Sequence, residues 1–239
     1  MIKETILTQY AAGERKFLKA NLQEAELIKV NLSGVDLTGA DLRQARLGRT
    51  NFSFSCLQQV DLSESILWGT DLNQANLSQA LLREADLSGA ILTEANLEEV
   101  NLIKAILEGA DLKKAKLCGA LMIEVDLRPT SNRRTNLSQA DLSDANLSYA
   151  DLSMALFYQA KLDRTKLCRA NLSARKEENS LATDLTEASL RDADLSYANL
   201  SGVILQRANL QGADLTGTIL TDANLEGAIM PNGSIYQPE

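Results

Sequence analysis

Aspartate recurs along this 239-residue chain at near-regular intervals, at Asp36, Asp41, Asp61, Asp71, Asp86, Asp141, Asp151, Asp194 and Asp214 among others. Two carboxylates facing one another can divide general acid and base work, as in glycoside hydrolysis. The other residue types that chemistry needs are scarce or badly spaced. Histidine is absent, which removes His-based triads, His-ligated metals and an imidazole pH switch. Cys56, Cys118 and Cys168 are odd in number and far apart, so neither a disulfide framework nor a CxxC zinc site is available. No phosphate-cradling glycine loop or Gly-x-Ser-x-Gly elbow stands in a usable context. No cofactor is expected. What remains is basic: Arg128, Arg133 and Arg134 fall within seven residues, and Arg175 and Lys176 open a second irregular stretch. Arginines grip carboxylates with two parallel bonds and are enriched at interfaces, as is the single tryptophan, Trp68.

The elements that carry these residues follow from a repeat. Leucine returns every fifth residue from Leu22, in phase from Phe17 to Leu172 and then, three residues out of step, from Leu185 to Met230. Of 42 such centres 36 are Leu; Phe17, Phe52, Met122, Asn132, Phe157 and Met230 are the exceptions. The residue two before a centre is Ala 26 times, and the residue between them is mostly Asp or Asn. On a helix a period of five scatters the leucines around every side, and on a straight strand it alternates their faces. A chain that turns a quarter-circle every five residues buries them all. Four sides then close a coil in twenty residues, with Leu and the small residue inside. The aspartates become corner residues that bond neighbouring backbone, which accounts for their number without catalysis.

The tandem A(D/N)LXX motif, as in Ala40-Asp41-Leu42 and Ala75-Asn76-Leu77, resembles the pentapeptide-repeat family. That resemblance implies an all-β solenoid, a right-handed quadrilateral β-helix. Residues 15–232 form it, after a capping helix within 1–14 and before a tail at 233–239. Tyr10-Ala11-Ala12-Gly13, Ser65-Ile66-Leu67-Trp68-Gly69, Asp126-Leu127-Arg128-Pro129 and Gly227-Ala228-Ile229-Met230-Pro231 resemble a branch of the family that promotes heterocyst differentiation in cyanobacteria. This closer resemblance implies a non-enzymatic regulator that binds the differentiation regulator HetR and counters its inhibitory peptide signal. The family also contains acidic rods that mimic DNA and bind gyrase, which is the alternative.

Two stretches abandon the motif. Residues 128–134 keep the phase of five but place Asn132 at an inward position beside Pro129. An interval of thirteen between Leu172 and Leu185 leaves about eight residues, 175–182, to bulge as a loop or form one distorted side. Twenty residues per coil put Asn132, Leu152 and Leu172 on one face, so the two departures should lie two coils apart at one edge. Trp68 is set apart as a second candidate on its own side of the rod. Apolar residues stand where Asp or Asn is usual, at Ile66, Leu81, Ile91, Ile106, Leu121, Ile204 and Ile219, and are expected outside. At the start, apolar residues at 2, 6, 7, 10 and 11 give a short amphipathic helix to cover the first coil, ended by Gly13.

Charge and hydropathy narrow the function classes. The net charge of −8 argues against direct nucleic-acid binding, while 24 basic residues dilute any DNA-like field. No apolar run reaches the roughly 18 residues of a membrane helix, and Met1-Ile2-Lys3-Glu4-Thr5 lacks a signal peptide's apolar stretch. The expectation is a cytoplasmic monomer that binds a protein partner.

Overall fold

In the computed structural model residues 3–174 and 181–237 are described. They form helix α1 (Lys3–Ala11) and a right-handed quadrilateral β-helix. Parallel bridges run up each side at one residue per coil. The first face begins at Lys16, Asp36 and Cys56, and the second at Asn21, Asp41 and Asp61. The third begins at Glu26, Arg46 and Ile66, and the fourth at Asn31, Asn51 and Asp71. The first face carries this ladder from Lys16 to Ile229, about 50 Å at ~4.8 Å per coil.

One pentapeptide shows how the backbone is satisfied. Ala40 N donates to Leu37 O (2.9 Å), closing the corner turn, and Asp41 N donates to Ala20 O one coil below (3.0 Å). Leu42 N and Gln44 N donate to Asp61 O and Ser63 O one coil above (2.7 and 3.0 Å). Only Arg43 N is left, and the Asp41 side chain takes it at 3.1 Å. The same bond recurs from Ser33 N to Asn31, Ser78 N to Asn76, Ser143 N to Asp141 and Ser201 N to Asn199. This is why Asp or Asn precedes most centres. Where Ile or Leu stands there, as at Ile66, Leu81, Ile91, Ile106 and Leu121, that acceptor is missing and the side chain is exposed. The residue two after the centre holds a positive φ, as at Gln44 (58°), which is the requirement of a type II turn.

Leucine centres and the small residues two before them are buried almost without exception, in one continuous core. Hydroxyls that replace alanine inside find a carbonyl: Thr70 Oγ1 donates to Leu47 O at 3.0 Å and Thr165 Oγ1 to Leu142 O at 3.0 Å. Helix α1 closes the lower end by burying Ile6 and packing Leu7 and Tyr10 on the core. The Tyr10 hydroxyl donates to Ser33 O at 2.9 Å. At the upper end the tail turns at 231–233 and folds back, pairing Ile235 with Ile229 in antiparallel fashion.

One expectation is overturned. Asn132 is not inward; it is exposed, and its whole pentapeptide is extruded. The bridge from Asp111 skips residue 131 and goes to Asn136. An insertion of one full repeat length preserves the phase of five, so counting alone mistakes it for another side.

Truncating a core leucine such as Leu97 to Ala should cost about 2–5 kcal/mol, measured by chemical denaturation. Enlarging Ala95 to Leu should destabilise too, by about 1–3 kcal/mol, because the corner is full. The corner bonds also predict a pH dependence. Thr216 holds the Asp214 carboxyl below its ordinary 3.8, and Arg43 does so for Asp41. A carboxylate with a lowered folded pKa stabilises fully above its unfolded value and loses that contribution as pH falls through the folded one. The melting temperature should therefore hold near neutrality and fall below about pH 4.

Candidate functional site

Both departures from the repeat fall at the corner between the third and fourth faces. Residues 128–134 lie between the bridging positions Asp126 and Asn136, and the second departure lies between Asn171 and Asp184. One regular corner, Ser153-Met154-Ala155, separates them, so they stand two coils apart on one edge as the twenty-residue count requires. Arg175 and Lys176 fall outside the described residues. Of the second loop, Leu181 is exposed and Ala182 is partly so.

The three clustered arginines have different situations. Arg128 lies along its own coil, its guanidinium bonded to Asp126 (2.6–3.0 Å) and to Glu108 (3.1 Å). The Asp126 hydrogen bond raises its already high pKa further. Arg134 turns back across the corner. Its Nε donates to Met154 O at 2.6 Å, and Nη2 donates to Ala155 O at 3.4 Å and to Ala182 O. Burial pushes its pKa down, although a guanidinium stays cationic. Arg134 is thus a staple between the two loops. Arg133 alone is exposed with its side chain unengaged among the described residues, while its backbone closes a tight turn with Thr130 (Thr130 N to Arg133 O, 2.9 Å).

Two threonines repair the ladder where the loops depart. Thr135 Oγ1 accepts from Gly109 N at 2.8 Å and donates to the carbonyls of Arg128 (3.0 Å) or Leu107 (3.2 Å). Thr183 Oγ1 plays the same part, accepting from Met154 N at 2.8 Å and donating to Leu152 O at 3.3 Å. Met154 and Ser153, in the corner between the two departures, are buried.

Trp68 is not on a separate side. It occupies the same corner, three coils below Arg128, a relation that steps of twenty residues contain and that single-residue reading missed. Its ring lies flat on Gly48, where even a Cβ would come within 2.6 Å of the indole. The Arg49 guanidinium sits 4.8 Å from the ring centroid. Trp68 is therefore half-buried, with one ring face used internally.

The corner carboxylates are engaged with turn amides, and among the described residues no group of three His, Cys, Asp or Glu could hold a metal ion. The pentapeptide-repeat sequence model matches residues 16–53, 55–93, 80–119, 134–173 and 183–222.

The chain belongs to the pentapeptide-repeat family.

The gap in those matches between 119 and 134 takes in residues 128–133 of the first departure, and the gap between 173 and 183 coincides with the second. The chain is similar to HetL, a pentapeptide-repeat protein involved in heterocyst differentiation regulation in Nostoc sp. strain PCC 7120. Identity is 58% over 99% of this chain and 100% of HetL, with a TM-score of 0.97. A truncated form of QnrB1, a plasmid-mediated fluoroquinolone resistance protein, is 19% identical over 91% of each chain, with a TM-score of 0.50. That likeness is one of fold. No curated protein matches in sequence.

Arg134→Ala should destabilise by about 1–3 kcal/mol, because it strands buried carbonyls. Arg133→Ala should stay within about 0.5 kcal/mol, as surface changes do. Parallel thermal melts check both.

Proposed function

We propose that this protein is a non-enzymatic regulator that binds a protein partner, promoting heterocyst differentiation by engaging HetR and opposing its inhibitory peptide signal. The observation that carries the reading is the full-length likeness to HetL, which extends through both ends and both irregular loops. The physical argument agrees with it. A solenoid's regular faces repeat, so recognition of one partner needs surface that breaks the repetition. The third–fourth corner supplies it, with the exposed Arg133 and the outer face of Trp68. Catalysis finds no support in the corner carboxylates, whose oxygens are bonded to turn amides.

The test is binding of the purified chain to purified HetR by calorimetry, with a gyrase supercoiling assay beside it. The expected result is HetR binding that the inhibitory peptide opposes, with supercoiling unchanged. Arg133→Ala and Trp68→Ala should each weaken HetR binding by about tenfold or more, as truncated anchors do. Absence of HetR binding together with inhibition of gyrase would replace this reading by the DNA-mimic one.

A further inference from the structure

The corner on the other side of the third face, between the second and third faces, carries a different arrangement. In three successive coils the residue two after the centre is Tyr149, Arg169 and Tyr197. The Arg169 guanidinium lies between the two rings, 6.0 Å from the Tyr149 centroid and 5.6 Å from that of Tyr197. Tyr197 in turn lies over Gly217 in the next coil, where a Cβ would come within 2.7 Å of the ring. The tyrosines are 57% and 58% exposed and Arg169 is exposed as well.

Arg169 makes no ion pair with a carboxylate among the described residues, which sets it apart from half of the described arginines. Arg43, Arg46, Arg83, Arg128, Arg164 and Arg207 each pair with an Asp or Glu of the chain. Two acidic side chains of the flanking coils, Asp151 and Asp194, already accept hydrogen bonds. Asp151 accepts from Ser153 N, Ser153 Oγ and Asn171 Nδ2, and Asp194 accepts from Ser196 N. Lower on the same corner, Glu124 pairs with Lys104. Lys166, in the same coil as Arg169, is exposed and makes no ion pair among the described residues. In a chain of net charge −8, an exposed cation braced between two aromatic rings is unusual. Bracing fixes the guanidinium plane, so less side-chain entropy is lost when its edge bonds a carboxylate. Tyr and Arg together are also the types that dominate binding energy.

We propose that Tyr149, Arg169 and Tyr197 form a receptor for a carboxylate on an acidic segment of a protein partner. This rests on the reading of the rod as a protein-binding regulator, and it extends the surface of that reading. The two corners flank one face, so a partner lying on Asp151, Asn171 and Asn199 would touch the loops on one side and Arg169 on the other.

The test uses fluorescence anisotropy with a labelled hexaglutamate peptide. Arg191 serves as control, being exposed and without an ion pair among the described residues. Arg169→Gln should weaken peptide binding about tenfold, the scale of a charge-assisted bidentate contact, and Arg191→Gln less than about twofold. Tyr149→Ala and Tyr197→Ala should each weaken it with the melting temperature nearly unchanged. Equal losses for Arg169→Gln and Arg191→Gln would overturn the proposal, as would tighter, Arg169-dependent binding of a DNA duplex. The same variants in the HetR assay separate the two claims. If HetR does not bind but the peptide binds through Arg169, the partner is wrong and the receptor stands. If HetR binds and neither ligand senses Arg169→Gln, the receptor is wrong and the partner stands.

Discussion

Each side of this rod must satisfy five backbone amides within five residues, and the ladder between coils reaches only three of them. The corner turn closes a fourth. The fifth, on the residue after each centre, depends on the side-chain oxygen of the Asp or Asn before it. The interior adds a steric rule, since a quarter-turn leaves room for one large aliphatic group and one small one per side. The motif A(D/N)L is the joint solution to these demands. Its aspartates resemble an acid-rich active site only when read without the backbone they serve.

That constraint also explains how the chain tolerates interruption. Five and then eight extra residues enter the chain at one corner, and the bridges resume on the same faces above them. At each re-entry a threonine stands where alanine is usual, and its hydroxyl accepts an amide from the coil below. Arg134 then ties the edge together by donating to carbonyls of the intervening coil and of the second loop. Two loops that a sequence separates by some forty residues thus behave as one surface. On this edge Asn132, Arg133 and Leu181 stay exposed and Trp68 half-buried once these structural duties are met.

The fold was legible because period five has no helical or flat-strand solution, so the phase of the leucines decided it. Asn132 was misread for the same reason: a five-residue insertion leaves that phase untouched, and only Pro129 and the polar centre hinted at it. The shared edge of the two loops followed from steps of twenty, and the same steps from Trp68 to Arg128 place them on one corner. The inward course of Arg134 was not legible, because it depends on a carbonyl in a loop far along the chain. The ladder of Tyr149, Arg169 and Tyr197 was present as three residues on one corner, but their stacking needed the side-chain geometry.

The most direct test of the backbone account is amide hydrogen exchange at two neighbouring isoleucines of the second face. Ile103 N donates to the Asn101 side chain at 3.2 Å, whereas Ile123 follows Leu121 and its amide has no protein acceptor among the described residues. Both occupy the same place in successive coils and both are partly buried. Nuclear magnetic resonance should find the Ile103 amide clearly more protected than that of Ile123, with Leu121→Asn slowing exchange at Ile123. Equal protection at the two sites, unchanged by Leu121→Asn, would contradict the claim that the Asp and Asn side chains complete the coil.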